Sequence, residues 1–177
     1  HARARGHPAE PFFVRHVSAQ EVGEIAQVRS IMECAATRSA CGRCNPAELS
    51  VLRDELQELI DHPTRPANDF IARARSIDTR LHDLITTSCG NRFLDREINR
   101  LKTLFRVFRD VSYTHDGALN DFQRLSAETH EHLAIIDALQ RTDVEGAVSA
   151  MARHIASGAA HWTRMFPTGD QTSNPRG

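Results

Sequence analysis

The sequence predicts an all-α protein, an antiparallel bundle of six to seven helices. Three observations favour this fold. Apolar residues recur at spacings of three and four along most of the chain, which is the period of a helix with one buried face. Residues typical of helix starts and stops bracket these stretches, and the connections between them are short. No convincing pair of β-strands is evident, so helices are expected to pack on helices.

The first predicted helix has a strong start signal. Ser18 followed by Glu21 fits a capping box, in which each side chain bonds the backbone of the other position. The helix is predicted to end near Ala40, because a glycine follows at position 42. Its core-facing positions are predicted to be Val22, Ile25, Val28, Met32, Ala35 and Ala36.

Similar signals place the other helices. Asn45 is a typical cap and Pro46 suits the first helical position of the second helix, which ends before Pro63. Gly90 is expected to close the third helix, since glycine tolerates the left-handed backbone found there. The remaining helices are predicted over 68–89, about 92–111, 118–140, and from a cap at Thr142 or Asp143 to about 165.

One helical domain is predicted, over residues 18–166. Residues 1–17 contain two prolines and no helical period, so they are predicted to be a linker or the remnant of a preceding domain. Residues 167–177 are rich in Thr, Ser, Gly, Asn and Pro, which predicts a disordered tail. The first residue is His rather than Met, so we expect a processed or recombinant piece of a longer protein.

Composition excludes several classes of function. Lys and Arg number 22 and Asp and Glu number 23, a balance unlike that of a free-standing nucleic-acid binder. No apolar run approaches the length of a membrane span, and the N-terminus has no signal-peptide pattern, so no membrane partner is expected. The four cysteines are therefore expected to be reduced thiols in a cytoplasmic protein.

The third helix carries the residues around which a site is predicted. Asp78 and His82 stand four apart, so their side chains project from one face of the helix. The same face continues with apolar or thiol side chains at positions 71, 74, 85 and 89. A carboxylate and an imidazole in such a stripe are costly to bury unless something satisfies them, and a divalent metal would do so.

Two further histidines are predicted to face the core. In the fifth helix the apolar series at three-or-four spacing passes through His132, whereas the series through His130 is polar, so His130 is expected at the surface. In the sixth helix His154 lies mid-helix on an apolar face, and His161 lies nearer the end. We therefore prefer His154.

These side chains form a candidate metal site of three imidazoles and one carboxylate. Such donors suit zinc, nickel, iron or manganese better than calcium or magnesium, which prefer oxygen ligands. Glu128 or Glu131 could hold the second nitrogen of a ligating histidine. The alternative is that each histidine is simply hydrogen-bonded in the core. The candidate ligands are Asp78, His82, His132 and His154.

The sequence Cys41-Gly-Arg-Cys44 is a second pattern that can bind zinc or cycle as a dithiol. A structural zinc needs two more ligands, and only Cys34 is near in sequence. No βαβ pattern surrounds the pair, which argues against thioredoxin-like chemistry. A structural role is favoured.

Three stretches read together resemble a known family. They resemble the ligand-binding FCD domain of GntR-type bacterial transcription regulators of the FadR subfamily. The three stretches are VRSIMECAATRSA, IDTRLHDLITTSCGNRFLDREINRL and ETHEHLAIIDALQRTDVEGAVSAMARHI. The family's D-x-x-F-H before a Gly-Asn turn is matched here, with Leu81 in place of Phe. Its later His, helix-opening Asp and Met-x-x-His are matched by His132, Asp143, Met151 and His154.

The resemblance implies an FCD-like helical bundle and a function for the candidate site. It implies that the four candidate ligands bind a divalent metal, often zinc or nickel, at the floor of a pocket for a small organic acid. The family's Arg-x-x-x-Glu near the domain start matches Arg29 and Glu33. Arg29 would then bind a carboxylate through two hydrogen bonds. The alternative is that Arg29 and Glu33 form only an intrahelical ion pair. Weaker candidates for ligand contact are Arg75, Arg80 and Arg106.

The resemblance also implies partners. The family carries a winged helix-turn-helix before this domain, and Phe12-Phe13-Val14 resembles the last strand of such a wing. Operator DNA would be bound through that missing N-terminal domain, so the present chain alone is expected to bind DNA poorly. A homodimer is implied, because half-site operators mirror a two-fold protein. The expected function is effector sensing rather than catalysis; the alternative is a small metalloenzyme similar to superoxide dismutase.

Overall fold

Six α-helices make up the part of the chain that the structure, a computed structural model, describes: residues 18–62, 67–112 and 117–165. Side chains are described for these residues except 67–68, 104–112, 117–122 and 165. No strand occurs within these ranges, so the predicted all-α class is confirmed. The predictions for residues 1–17 and for the tail from 167 lie outside them. In order, the helices are α1 (Ala19–Ala40), α2 (Pro46–Asp61), α3 (Ala67–Ser88), α4 (Arg92–Ser112), α5 (Gly117–Gln140) and α6 (Val144–Met165).

Side chains predicted from the sequence cap three of the helices. The backbone N–H of Glu21 donates to the Ser18 hydroxyl at 3.2 Å, and the Ser18 N–H donates to the Glu21 carboxylate at 3.0 Å, which completes the capping box of α1. Asn45 accepts from the first turn of α2 at 3.0 Å. Asp143, rather than Thr142, caps α6, because its carboxylate accepts from the Gly146 N–H at 2.9 Å. Such caps are typically worth ~1 kcal/mol each.

Gly90 closes α3 in a conformation that a larger residue would strain. Its φ is +74°, in the left-handed region. A Cβ at this position would also lie 2.6 Å from the Nη1 atom of Arg43. That guanidinium donates to the carbonyl of Cys89 at 3.2 Å, and so ties the end of α3 to the turn after α1.

The inward face of α1 differs from the predicted one. Val22 and Ala36 are buried as predicted, but Val28 is 45 % exposed and Ala35 is exposed, so those two predictions were wrong. Small side chains and a carboxylate face the core instead, because α1 packs closely against α6 and also reaches α3. The buried residues of α1 are Ala19, Val22, Ala26, Glu33, Ala36, Thr37 and Ala40.

The core lies between α1, α3, α5 and α6, and α2 packs against α3 and α5. Four leucines of α2, Leu49, Leu52, Leu56 and Leu59, are buried. On α4, Ile98 is buried and Leu94 is only half-buried. None of the helices in the described ranges has the length and hydropathy needed to cross a membrane. Three buried histidines lie at the centre of this core.

Candidate metal centre

The four side chains predicted as ligands meet at the middle of the bundle. α3 supplies Asp78 and His82, α5 supplies His132 and α6 supplies His154, and one ligand atom from each lies within 4.8 Å of the others. The ring centroids of His132 and His154 are 4.5 Å apart, and that of His82 lies 5.3 Å from the ring of His154. The helical spacing that selected these residues therefore brings them together, and His130 is exposed as predicted.

Asp78 lies at the open side of the cluster. Its Oδ1 atom is 3.2 Å from Nε2 of His132 and 3.5 Å from Nε2 of His82. The Asp78 side chain is 32 % exposed, whereas the side chains of both histidines are nearly inaccessible. A carboxylate at this position can face both the histidines and whatever enters from outside.

Two buried nitrogen atoms test whether these residues suit a metal. The Nε2 atoms of His82 and His132 are buried and have no hydrogen-bond partner among the described residues. Buried polar atoms are rarely left unsatisfied, since their desolvation is costly. A divalent cation would accept lone pairs from both nitrogens and from the nearby carboxylate. Imidazole and carboxylate donors in this number fit zinc or a similar transition metal.

Carboxylates behind the histidines orient two of the rings. Oε2 of Glu33 lies 2.6 Å from Nδ1 of His82, and Oε2 of Glu131 lies 2.9 Å from Nδ1 of His154. A carboxylate accepts a hydrogen bond from the protonated Nδ1, which leaves the Nε2 lone pair for the cluster. Glu131 was one of the two residues predicted for this task. Glu33 was predicted only as a partner of Arg29; its place on the inward face of α1, among buried alanines, was the signal that could have found it.

Three carboxylates of the site, Glu33, Asp78 and Glu131, are ionised at neutral pH. Burial alone would raise the pKa of Glu33, but Arg29 and His82 hold that pKa well below its usual range. At Asp78, burial again favours a higher pKa, but contact with His132 and the charges of the neighbouring rings keep the pKa low. At Glu131, the hydrogen bonds to His154 and to an arginine outweigh burial and lower the pKa to about 2.

Two of the histidines are shifted in opposite directions. Burial, reinforced by the charge of His132, lowers the pKa of His154 to about 4, so its imidazole is neutral. Burial also disfavours charge on His132, but Asp78 outweighs it and raises the pKa of His132. Only neutral imidazole is a metal ligand, so metal binding would compete with protonation of His132.

A cavity of about 100 Å³ opens beside Asp78, His82 and His154. Its lining carries more positive than negative side chains, and three of the cations pair with carboxylates: Lys102 with Asp83 at 2.9 Å, Arg124 with Glu128 at 2.8 Å, and Arg29 with Glu33. Arg29 is only 13 % exposed and its Nε donates to Glu33 Oε1 at 2.7 Å. The cationic residues that line the cavity are Arg29, Arg75, Lys102 and Arg124, and the carboxylates are Asp78 and Glu128.

The weaker ligand candidates fall in different places. Arg75 lines the cavity. Arg80 instead pairs with Glu55 at 2.6 Å on the surface and is not among the described residues that line the cavity. The side chain of Arg106 is outside the described set. His161 stacks edge-on against Trp162 and does not join the cluster of ligand atoms.

The cysteines do not form a comparable site. Cys41 is half-buried and Cys44 is buried, and burial raises the pKa of both thiols. Cys34 contacts the carbonyl of Val148 on α6. Among the described side chains, the one group of three or more potential metal ligands is the Asp–His cluster. The structural role expected for the cysteines therefore remains the favoured interpretation.

Comparison with known proteins gives consistent matches. A family model described as the FCD domain matches residues 24–157. The Nta operon transcriptional regulator of Aminobacter aminovorans is 25 % identical over 132 residues, which cover 75 % of this chain and 58 % of that protein. The HTH-type transcriptional repressor RspR of Escherichia coli K12 is 25 % identical over 149 residues, which cover 84 % and 61 %. The chain thus spans about six-tenths of the length of these curated relatives.

A solved structure shares the fold. The metal-free FCD domain of TM0439 superposes with a TM-score of 0.67 at 17 % identity, covering 84 % of this chain and 96 % of that one. At this level of identity the likeness establishes the six-helix architecture. It does not bear on which ion or ligand the Asp–His cluster binds.

Proposed function

The chain belongs to the FCD domain family, and from that premise we propose that it senses a small carboxylic acid at a divalent-metal site. The matched relatives are transcription regulators rather than enzymes, which does not favour the dismutase-like alternative. In the whole protein, acid binding would modulate the DNA binding of a helix-turn-helix domain outside these 177 residues. RspR, which this chain matches, is named as an HTH-type repressor.

The proposal of a metal site rests on the two buried Nε2 atoms of His82 and His132. We infer that these atoms, Asp78 and His154 hold zinc or nickel. Glu33 and Glu131 support this arrangement from behind, since each fixes the proton of one imidazole on the nitrogen that faces away from the cluster. The bound metal would supply a positive charge at the floor of the cavity.

The acid is inferred from the lining of that cavity. Four cationic side chains surround a space whose floor is the candidate metal centre. Arginine presents a planar fork that matches a carboxylate, and Arg29 lines the cavity together with Asp78 and His82. A ligand with one carboxylate at the metal and another near an arginine would satisfy both ends.

The same site offers a route for regulation. Its residues come from α1, α3, α4, α5 and α6, so a bound acid would contact most of the bundle at once. A ligand shifts a conformational equilibrium only when it binds one arrangement better than the other. We propose that the acid favours one packing of these helices in a homodimer, and that this packing sets the spacing of two DNA-binding domains.

Metal content tests the metal half of this proposal. We expect about one metal ion per chain in protein purified without chelators, lost in His132→Ala and kept in His130→Ala. The two histidines lie two residues apart on α5, but one is buried in the cluster and the other is exposed, so the pair is a matched control. Absence of metal, and no uptake on adding zinc or nickel, would overturn the proposal.

Thermal shift tests the acid half. Metal-loaded protein is screened against small mono-, di- and tricarboxylic acids, because a ligand that binds only the folded state raises the melting temperature. We expect one class of acid to raise it in the native protein and not in His132→Ala. Equal effects in both proteins would show that the acid binds elsewhere.

A further inference from the structure

One wall of the cavity beside the candidate metal centre contains a buried arginine with an unsatisfied donor. Arg124 on α5 lines this cavity, and its side chain is only 9 % exposed. Its Nε atom is buried and has no hydrogen-bond partner among the described residues. Nε of Arg29, by contrast, donates to Glu33 at 2.7 Å. A buried N–H group without an acceptor is costly, so a ligand in the cavity is expected to supply one.

The rest of the Arg124 guanidinium is held in place by the protein. Nη1 donates to Oε1 of Glu131 at 3.1 Å and to Oγ of Ser157 at 2.8 Å. Nη2 donates to Oε2 of Glu131 at 3.2 Å and lies 2.8 Å from Oε1 of Glu128. These contacts, from side chains on α5 and α6, match the N–H groups of both Nη atoms. The orientation of the guanidinium is therefore fixed, and its Nε–H group remains for a ligand.

Glu128 brings an acceptor to the same wall. Its side chain lines the cavity and contacts Arg124, so a donor and an acceptor stand side by side. Arg124, Glu128 and His132 follow one another at intervals of four residues, which places them on one face of α5. One helical turn is about 5.4 Å long, so this pair begins about one turn from a candidate metal ligand. A small acid bound at the metal would be within reach of both side chains.

A hydroxyl group matches this donor and acceptor better than a second carboxylate does. A hydroxyl accepts through its oxygen and donates through its proton, so it can pair with Nε of Arg124 and with Glu128 at once. An ionised carboxylate has no proton to donate, and it would be repelled by Glu131, which is ionised and bound to the same guanidinium. The charge of Arg124 is thus already balanced, and a neutral polar group fits the position.

We propose that Arg124 and Glu128 form a subsite for a hydroxyl group, and that the acid sensed by this domain is a hydroxylated carboxylic acid. The proposal rests on the function proposed above, in which a carboxylate of the ligand lies at the metal, and it specifies the class of acid. A site built to hydrogen-bond a hydroxyl discriminates against the analogue that lacks it, because its own polar groups would then be buried unpaired. The subsite therefore sets specificity, whereas the metal and Arg29 bind the carboxylate that every candidate acid carries.

Pairs of acids that differ in their hydroxyl groups test the subsite. Malate is compared with succinate, β-hydroxybutyrate with butyrate and gluconate with hexanoate, by isothermal titration of the metal-loaded protein. We expect a hydroxylated acid to bind at least about tenfold more tightly than its partner, because it satisfies the buried donor of Arg124. Equal affinities within every pair would overturn the hydroxyl subsite and leave the metal-dependent binding of acids standing. Binding of no acid at all would overturn both proposals.

Two variants separate the subsite from the metal, because a hydroxyl group can also bind a metal ion directly. Arg124→Lys keeps the positive charge but removes the Nε–H group, and Glu128→Leu removes the acceptor at a similar volume. Each should bring the two dissociation constants of a pair close together while the affinity for the acid without the hydroxyl stays near the native value. A preference that persists in both variants would place the hydroxyl at the metal and overturn the subsite.

Arg29→Lys is the matched control, because it should weaken both members of a pair alike through the carboxylate that they share. Metal content and melting temperature are measured on every variant. Arg124 also contacts Glu131, which orients His154, so a loss of metal in Arg124→Lys would reflect that contact. Glu128→Leu leaves the contact between Glu131 and His154 in place, and its result then decides the proposal.

Discussion

Glu33 of α1 joins an arginine of the cavity to a histidine of the candidate metal centre. Its Oε1 atom accepts from Nε of Arg29 at 2.7 Å, and its Oε2 atom lies 2.6 Å from Nδ1 of His82. Both oxygens of one buried carboxylate are thus engaged, and the Glu33 side chain is only 2 % exposed. A single side chain therefore contacts both Arg29 and His82.

Glu33→Gln should weaken metal binding by roughly 10–100-fold, the usual effect of removing the group that orients a metal-binding histidine. The amide has nearly the same shape, but it removes the negative charge that favours the Nδ1 proton of His82. Competition against a chelator of known affinity measures the change. Glu48→Gln, an exposed glutamate on α2, is the control and should bind metal normally. Equal affinities in the two variants would assign Glu33 to packing alone.

Metal removal should lower the melting temperature of the native protein. A ligand present at one hundred times its dissociation constant stabilises the folded state by ~2.7 kcal/mol, which corresponds to several degrees for a chain of this size. Calorimetry with and without a strong chelator checks the shift. In His132→Ala the chelator should have no effect, because one ligand is missing; a shift of the same size there would place the stabilising metal at a different site.

Helical periodicity predicted the members of the Asp–His cluster well. Asp78 and His82 stand four apart, and the same rule separated buried His132 from exposed His130. Where a helix has a single apolar stripe, a polar residue within that stripe must face the core, so its position can be identified from the sequence. The rule holds wherever a helix has only one buried side.

Helix α1 shows where this reasoning fails. Its apolar residues lie on two sides, so spacing alone did not decide that Val22 is buried while Val28 is exposed. The deciding contacts come from far along the chain. Burial of Glu33 is favourable only because its carboxylate contacts both Arg29, which is near in sequence, and His82, which lies 49 residues later. Local sequence carries no information about that distant partner.

Gly90→Ala should destabilise the protein, whereas Gly23→Ala should stabilise it. At Gly90 the left-handed backbone costs a residue with a Cβ ~1–2 kcal/mol, and the new methyl group would crowd Arg43. Gly23 lies inside α1, where an added Cβ would meet no atom within 4 Å, so alanine there should add ~0.5–1 kcal/mol through its helix propensity. Urea denaturation of the two variants measures both changes; destabilisation by Gly23→Ala would mean that the surface of α1 is more crowded than its contacts indicate.

Arg29→Lys should weaken acid binding by about tenfold or more while metal content is retained. Lysine keeps the positive charge beside Glu33, but it lacks the planar fork that holds a carboxylate at two points. Isothermal titration of the metal-loaded protein with the acid found by thermal shift measures the change. Arg80→Lys is the control, because Arg80 pairs with Glu55 on the surface and should not affect the acid.

The same variant decides between the two interpretations of Arg29. If Arg29 binds the acid, Arg29→Lys lowers acid affinity and leaves metal affinity nearly unchanged, since the charge that keeps Glu33 ionised is preserved. If Arg29 serves only as the partner of Glu33, acid affinity stays at the native value and any loss appears in metal affinity or in the melting temperature. Because acid affinity and metal affinity are measured separately, the two roles give opposite patterns, and the second pattern would remove Arg29 from the ligand site.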